Sequence, residues 1–167
     1  MKARDIGLVV AAVALILDQG TKTLLLYGLG LVHLEPGQSV SVLPFFNLVM
    51  VWNPGISYGL FPASGPEGTV FLATFQVLAA CALTWWLWSA HSRRLGVALG
   101  LVIGGALGNL IDRMVYGTVA DFFHFSALGY DWYVFNVADA AITFGVIGLL
   151  YDALMKPETP QGEAGKE

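Results

Sequence analysis

Two aspartates, Asp121 and Asp139, lie in or beside apolar segments of a chain with few charges. Asp139 is the only charged residue in the stretch 132–151, and Asp121 is flanked by Val119, Ala120 and Phe122. A carboxylate close to hydrocarbon is costly to bury, so it usually has a functional role. Two carboxylates that meet in a dry site can share one proton, so that one acts as base and the other as acid. The pair therefore predicts acid–base chemistry.

The composition indicates which elements must position this pair. The chain has 167 residues, of which 56% are hydrophobic and only 12% are charged, whereas soluble domains contain about 25% charged residues. Four stretches, at about 6–26, 68–90, 95–111 and 132–151, are apolar enough and approach the length of roughly 20 residues that crosses a bilayer. We therefore predict an all-α integral membrane protein, with one four-helix domain over 1–155 and a disordered cytoplasmic tail over 156–167.

The basic residues predict an orientation for these spans. Lys2 and Arg4 precede the first span, and Arg93 and Arg94 separate the second from the third. The loops 27–67 and 112–131 contain only Arg113 among lysines and arginines. Cytoplasmic loops carry the excess of lysine and arginine, so both termini are predicted to be cytoplasmic and both of these loops to lie outside. The first stretch resembles a signal peptide but lacks a small-residue cleavage site, which favours a retained helix.

The first outer loop contains a second kind of pattern. Residues 39–42 alternate between serine and valine, and residues 46–52 are rich in β-branched and aromatic side chains. These patterns predict a small strand pair. Two interpretations remain open: a loop that rests on the membrane, or a platform that binds an extended peptide by adding a strand.

Polar residues of different spans are predicted to converge at one depth. With a rise of about 1.5 Å per residue, Asp18 and Asn109 lie roughly 18 and 21 Å above the cytoplasmic ends of their spans. Asp139 lies roughly 10 Å below the outer end of the fourth span. All three then fall in the outer half of a layer of about 30 Å.

Glycines in the third span favour this convergence. Gly100, Gly104 and Gly108 share one helix face, and a stripe of small residues lets a neighbouring helix approach closely.

Three pairs of polar residues share helix faces by their spacing. Asp18 and Lys22 are four residues apart, as are Asn109 and Arg113, while Asn136 precedes Asp139 by three. The first pair is interpreted either as an ion pair within the membrane or as a group that shapes the site or contacts the substrate backbone. The asparagines and Arg113 either join helices or orient the carboxylates.

Five blocks of the sequence resemble the lipoprotein signal peptidases, also called signal peptidase II, which are aspartic proteases of the bacterial membrane. The blocks run in order from the first span to the fourth, so the resemblance covers nearly the whole chain. They are Asp18-Gln19-Gly20-Thr21-Lys22, Asn53-Pro54-Gly55-Ile56-Ser57-Tyr58-Gly59, Gly104 to Arg113, Gly117 to Phe122, and Phe135 to Asp139.

The resemblance implies that Asp121 and Asp139 form a catalytic dyad. It implies a substrate, a prolipoprotein whose cysteine already carries diacylglycerol, with cleavage just before that cysteine. No cofactor, metal ion or nucleic acid is expected. Supporting roles at the site are expected for Asp18, Lys22, Asn53, Gly55, Gly108, Asn109, Asp112, Arg113, Asn136 and Ala138.

The resemblance also implies which structural elements, membrane and ligands surround the site. A periplasmic β-cradle with a short helix is expected beside it, in a protein of the cytoplasmic (inner) membrane whose active site lies near the outer leaflet. Membrane lipids and the cyclic lipopeptide inhibitor globomycin are expected ligands. Tyr58 departs from the family, which usually has Phe there.

Two other classes of protein are compatible with polar residues in four spans. A proton-coupled carrier or proton relay would use intramembrane Asp, Asn and Lys, and a non-catalytic assembly subunit would use them for packing. A carrier should contain inverted repeats or broken helices, and a relay should have carboxylates on both sides of the midplane. The sequence contains neither pattern, and the five blocks favour the peptidase.

Overall fold

Four long helices and a small antiparallel sheet make up the computed structural model, which describes residues 1–55, 65–127 and 129–155. The helices are α1 (Ala3–Thr23), α2 (Gly65–Trp88), α3 (Arg93–Tyr116) and α4 (Val137–Leu154). The strands are β1 (Ser39–Leu43), β2 (Phe46–Asn53), β3 (Val119–Ala127) and β4 (Tyr130–Asp131). A π-helical turn, Leu24–Gly28, continues α1, and a 3-10 turn follows at Leu31–His33.

All four helices are long and apolar enough to cross a membrane, judged by length and composition. This confirms the prediction of four spanning helices. α3 is the central helix: 72% of its most apolar 18-residue window is buried, against 17–28% for the other three. The remaining helices therefore surround α3 and leave most of their own surface for lipid.

Glycines on α3 let the other helices approach its backbone. A Cβ atom added at Gly104 would lie 2.5 Å from the carbonyl oxygen of Ala11 and 2.8 Å from the Ala14 Cβ, both on α1. A Cβ at Gly105 would lie 2.5 Å from the carbonyl oxygen of Ala138 on α4. The predicted stripe of small residues thus does bring neighbouring helices to van der Waals contact with α3.

The sheet has the strand order β1-β2-β3-β4, with antiparallel pairing throughout. The predicted pair β1 and β2 is present, but β3 was not predicted. Its first four residues are all buried, so the strand lacks the polar–apolar alternation by which a half-buried strand is recognised. Val51 of β2 pairs with Asp121 of β3, and Asn53 pairs with Val119.

Two helix boundaries differ from the predicted spans. α3 continues to Tyr116, so Asp112 and Arg113 lie in its last turns and not in an outer loop. The helix ends where Gly117 adopts the left-handed conformation (φ 78°) and donates its N–H to Arg113, a common way to close a helix.

α4 begins at Val137 and not near 132. Asn136 is its N-cap, and Asp139 occupies the third helical position. Asp139 therefore lies in the first turn of α4 and not two turns inside a helix, which corrects its predicted position within the helix.

Some expectations concern residues outside the described part of the chain. The short helix expected around Tyr58 falls within 56–64, and the tail falls within 156–167; neither range is described.

Buried contacts fix the sheet against the helices at one end of the molecule. Leu25 of the π turn, Leu31, Leu48 of β2 and Phe122 of β3 form one hydrophobic cluster. At the other end of the bundle, buried Asp152 of α4 accepts a hydrogen bond of 2.8 Å from the Ser92 hydroxyl, and Ser92 caps α3. Contacts between different elements therefore stabilise the bundle at both ends.

Substitution of Gly104 by alanine should destabilise the bundle. The new Cβ would meet a backbone oxygen of α1, which cannot move aside as a side chain can, and overpacking of this kind costs about 1–3 kcal/mol. We expect a lower midpoint of thermal unfolding in detergent, measured by tryptophan fluorescence.

The matched control is Gly20→Ala. Gly20 also lies within a spanning helix, but a Cβ there would have no atom within 4 Å. Because alanine favours helix by up to about 1 kcal/mol, this variant should unfold at the same or a higher temperature. Equal losses in the two variants would contradict the close-packing interpretation.

Candidate active site

Asp121 and Asp139 come together where the sheet meets the helix bundle. Asp121 lies on β3 and Asp139 in the first turn of α4, and Asn136 contacts both. The Asn136 Nδ2 donates a hydrogen bond of 2.6 Å to the Asp121 Oδ1, and its Oδ1 accepts one of 3.0 Å from the Asp139 backbone N–H. One asparagine therefore joins the strand that carries the first carboxylate to the helix that carries the second.

The Asp121 carboxylate is buried, with 1% of its surface exposed. Its Oδ1 accepts from Asn136, and its Oδ2 accepts from the Asn53 Nδ2 at 2.9 Å. Asn53 stands at the end of β2, and its own Oδ1 accepts from the Gly55 backbone N–H. Amide groups from β2 and from the start of α4 thus hold both oxygens of this carboxylate.

Burial, and then the nearby charge of Asp139, raise the pKa of the Asp121 carboxyl from its ordinary 3.8 to about 7. Hydrogen bonds from Asn53 and Asn136 and the Lys22 charge act in the opposite direction, but burial is the largest cause. A carboxylate removed from water is disfavoured relative to its neutral form, so burial favours the protonated form of Asp121.

The Asp139 carboxylate is only partly buried. Its Oδ2 accepts from the Asn136 backbone N–H at 3.3 Å, which completes a reciprocal capping box at the start of α4. Its Oδ1 accepts from the Asn109 Nδ2 at 2.9 Å. The carboxylate therefore lies at the positive end of the helix dipole of α4.

Asp139 borders a groove of about 600 Å³ between α2, α3 and α4. Asn109, Arg113 and Gln76 are the other groups with charged or amide side chains in its lining. Most of the remaining lining is apolar, including Leu72, Phe75, Leu83, Val102, Ile142 and Phe144. The groove thus places one carboxylate beside an apolar surface of the kind that small-molecule and peptide sites use.

A buried ion cluster lies behind the two carboxylates. The Lys22 Nζ is 2.8 Å from the Asp18 Oδ2 and 2.8 Å from the Asp112 Oδ2, and it donates to the Asn109 Oδ1 at 3.2 Å. Lys22 has 3% of its surface exposed, and both aspartates are fully buried. The predicted pair of Asp18 and Lys22 therefore supplies two of the three residues of an ion cluster between α1 and α3.

The two aspartates of this cluster also hold backbone groups beside the dyad. Asp18 Oδ1 accepts from the N–H of Ala138, the residue before Asp139, at 2.9 Å. Asp112 Oδ2 accepts from the N–H of Ala120, the residue before Asp121, at 3.0 Å. Lys22, through these two partners, fixes the backbone on both sides of the site.

Close packing brings Asp18 to this position. A Cβ on Gly108 would collide with the Asp18 carboxylate, so only glycine fits between this side chain and α3. The same contact brings Ala138 near, at 3.4 Å from the position of that Cβ. The expected supporting residues Gly108 and Ala138 therefore act through their small size and, for Ala138, through its backbone N–H.

Arg113 connects the helices to the end of β2. Its Nη2 donates to the Gly55 carbonyl oxygen at 2.5 Å, and its Nη1 donates to Gln76 Oε1 at 3.3 Å and to the Asn109 carbonyl oxygen at 3.4 Å. Its Nε is buried and has no hydrogen-bond partner among the described residues.

The structure thus brings all twelve predicted site residues into one connected region, and adds two that were not predicted. Gln19 donates to Asp18 Oδ2, Asp112 Oδ1 and the Gly108 carbonyl oxygen, each at 3.1 Å. Gln19 could have been found from its place between Asp18 and Lys22. Gln76 could have been found as the only amide in the second span.

No group of three or more His, Cys, Asp or Glu side chains that could hold a metal ion occurs among the described residues.

Comparisons with known proteins identify the family of this chain. Residues 10–155 match the family described as signal peptidase (SPase) II. The lipoprotein signal peptidase of Methylobacterium radiotolerans is 52% identical over 89% of this chain and 85% of that protein. The lipoprotein signal peptidase of Rhodopseudomonas palustris (strain TIE-1) is 47% identical over 90% of this chain and 92% of that protein.

The fold is similar to that of a solved bacterial membrane enzyme, studied by the in meso method, with a TM-score of 0.76 and 29% identity. That comparison covers 96% of this chain and 94% of the other. The chain belongs to the signal peptidase II family and is a membrane peptidase.

Replacement of Lys22 by methionine should strongly destabilise the protein. It would leave Asp18 and Asp112 buried without their cation, and loss of one partner from a buried ionic group costs about 3–5 kcal/mol. We expect a marked fall in the thermal unfolding temperature in detergent. Lys2→Met is the control, because Lys2 is exposed at the end of the chain; a similar, small change in both variants would show that the cluster is unimportant for stability.

Proposed function

We propose that this protein hydrolyses diacylglyceryl-modified prolipoproteins just before the lipidated cysteine, with Asp121 and Asp139 as the catalytic dyad. The observation that carries the proposal is the pair of carboxylates joined through Asn136, one buried and one bordering an apolar groove. The names of the relatives support the substrate class.

The different surroundings of the two carboxylates suggest a division of roles. Asp139 is partly exposed to the groove and lies at a helix N-terminus, so it is the ionised member that accepts a proton from the attacking water. Asp121 keeps its proton near neutral pH and donates it to the carbonyl oxygen as the tetrahedral intermediate forms. The two carboxyls titrate as a pair, so the reaction needs one proton on the dyad. The mechanism requires no covalent intermediate.

The remaining polar groups have orienting roles in this mechanism. Asn53 and Asn136 hold the Asp121 oxygens, and Asn109 holds one oxygen of Asp139. A carboxylate whose oxygens are fixed in this way needs little reorganisation when charge moves in the transition state. Lys22 places a positive charge behind the dyad and reaches the groove lining only through its hydrogen bond to Asn109 among the described contacts.

The groove fits a substrate that is itself in the membrane. Its walls from α2, α3 and α4 are mostly apolar, and its polar end contains Asp139, Asn109 and Arg113. A signal peptide and the acyl chains of a lipidated cysteine would lie against the apolar walls, with the scissile peptide at the polar end. Because an acyl chain leaves one apolar environment for another, the lipid contributes position more than affinity. Globomycin would occupy the same polar end.

We also propose an orientation. Lys2, Arg4, Arg93 and Arg94 lie at the end of the bundle opposite to the sheet, which favours cytoplasmic termini and a dyad near the outer leaflet of the cytoplasmic membrane.

The decisive experiment incubates the purified protein with a diacylglyceryl-modified prolipoprotein and follows the shortened product by gel shift or mass spectrometry. We expect cleavage just before the modified cysteine. Asp121→Asn and Asp139→Asn should each reduce the rate at least about a thousandfold, because each removes an essential acid or base.

Two controls accompany this experiment. Asp131→Asn changes an exposed aspartate of β4 that lies outside the network, and it tests whether loss of any outer carboxylate lowers activity. The unlipidated prolipoprotein tests whether the lipid sets the depth of the scissile bond, and it should be cleaved poorly. Near-normal turnover by either dyad variant would refute the two-aspartate mechanism.

The pH dependence follows from the pKa of Asp121, which is raised to about 7. Below that pH Asp121 holds its proton, and as the pH rises through it the dyad loses its acid. We therefore expect kcat/KM to fall about tenfold per pH unit above about pH 7. Initial rates at subsaturating substrate, with folding checked at each pH by tryptophan fluorescence, measure this. A constant kcat/KM up to about pH 9 would contradict a protonated Asp121.

Thiol labelling tests the orientation in a Cys81→Ala background. A membrane-impermeant reagent added to intact cells should modify the Ala127→Cys protein, since Ala127 is exposed on β3. It should leave the Ser89→Cys protein unmodified until the cells are opened, because Ser89 lies between α2 and α3. The reverse pattern would overturn the proposed topology.

A further inference from the structure

Gln76 is a polar residue on an otherwise apolar face. It is the only residue with an amide or charged side chain between Thr69 and Trp88 in α2, and it borders the groove together with Asp139, Asn109 and Arg113. A polar side chain in a membrane-spanning helix needs a partner, because an unpaired amide is costly in hydrocarbon. Gln76 finds that partner in Arg113, whose Nη1 donates to its Oε1 at 3.3 Å.

Arg113 is held at several points, and one of its donors has no partner. Its Nη2 donates to the Gly55 carbonyl oxygen, and its Nη1 is shared between Gln76 and the Asn109 carbonyl oxygen. The residue is 7% exposed, and its buried Nε lacks a hydrogen-bond partner among the described residues. A buried unpaired donor costs free energy, and beside a groove it indicates a position where a ligand oxygen would bind.

The direction of the guanidinium depends on what holds its two ends. Gly55 fixes one end from the strand side, and Gln76 fixes the other end from α2. The two contacts hold different nitrogens, Nη2 and Nη1, and Arg side chains have several rotatable bonds that would otherwise let the plane turn. Gln76 is therefore well placed to decide which way the Nε points.

We propose that Gln76 is a positioning residue, which holds the Arg113 guanidinium so that its unpaired Nε donates to a backbone carbonyl of the substrate in the groove. The inference rests on the proposed function for its substrate and deepens it by assigning a role to α2. Gln76 does not take part in the proton transfers; it acts through Arg113.

A purely structural role for Gln76, as an interhelical hydrogen bond, gives different expectations. Such a role would lower stability and, through a smaller folded fraction, would lower the apparent kcat while leaving KM unchanged. A positioning role for substrate binding should raise KM and leave kcat nearly unchanged, because the acid and base are untouched.

The test compares Gln76→Met with Gln76→Glu on a lipidated prolipoprotein. Methionine has a similar length but no amide oxygen, so we expect KM to rise roughly three- to tenfold and kcat to change less than about twofold. Glutamate keeps an acceptor for Arg113, so its KM should lie closer to that of the unmodified protein. Equal impairment in the two variants would overturn the proposal.

A double-mutant cycle tests whether Gln76 acts through Arg113. In an Arg113→Lys background, which lacks the forked guanidinium, Gln76→Met should raise KM by little or nothing further. Leu83→Ala is the matched control, because Leu83 lines the same groove without a contact to Arg113, and its effect should be the same in both backgrounds. If Gln76→Met raises KM by the same factor in both backgrounds, Gln76 does not act through Arg113.

A binding measurement separates this inference from the proposed function. Failure of the unmodified protein to cleave would overturn the proposed function alone. The affinity of an Asp139→Asn protein for a lipidated peptide still reports on Gln76: the added Gln76→Met change should weaken binding roughly three- to tenfold. Unchanged affinity would overturn the positioning role whether or not cleavage occurs.

Discussion

Lys22, placed between Asp18 and Asp112, is the interaction on which the rest of the site depends. Each aspartate uses one oxygen to bind the lysine and accepts a backbone N–H beside the dyad, from Ala138 and from Ala120 respectively. One cation thereby fixes the start of α4 and the start of β3, both of which are far from Lys22 along the chain. Since a buried charge is costly unless it is paired and hydrogen-bonded, the cluster has few alternative arrangements. The position of Asp121 relative to Asp139 is a consequence of that restriction.

The cluster requires helices that approach one another unusually closely. Lys22 and Asp18 belong to α1, Asp112 to α3, and Ala138 to α4, so their side chains meet only if the three helices pack almost backbone to backbone. The glycines of α3 permit this: Gly104 faces Ala11 of α1, and Gly108 leaves room for the Asp18 carboxylate. In a membrane, where burial of apolar side chains gives helices little reason to associate, close packing and polar contacts drive association together. In this protein the close packing at the glycines and the polar contacts of the ion cluster occur in the same region of the bundle.

The sequence predicts the parts of this arrangement that depend on local pattern. Long apolar runs locate the four helices, and the spacing of Asp18 from Lys22 and of Asn136 from Asp139 correctly indicates shared faces. It does not predict β3, because a strand buried along its first half has no alternation to reveal it. It also places the start of α4 too early, since Trp132 to Phe135 are as apolar as the helix that follows, and only the capping geometry at Asn136 marks the boundary. The partners of Lys22 and Arg113 across helices depend on tertiary packing, which spacing along one helix cannot specify.

The two kinds of secondary structure explain why the two carboxylates differ. A strand buried against helices removes Asp121 from water, and the neighbouring amides fix its oxygens without supplying a positive charge in direct contact. The first turn of a helix gives Asp139 a hydrogen bond from the Asn136 backbone N–H and a favourable dipole, at the edge of a groove. The elements that carry these two identical side chains thereby give them different surroundings, one buried and one at the edge of the groove. Asn136 belongs to the boundary between those elements, so the residue that couples the carboxylates is also the one that sets where the helix begins.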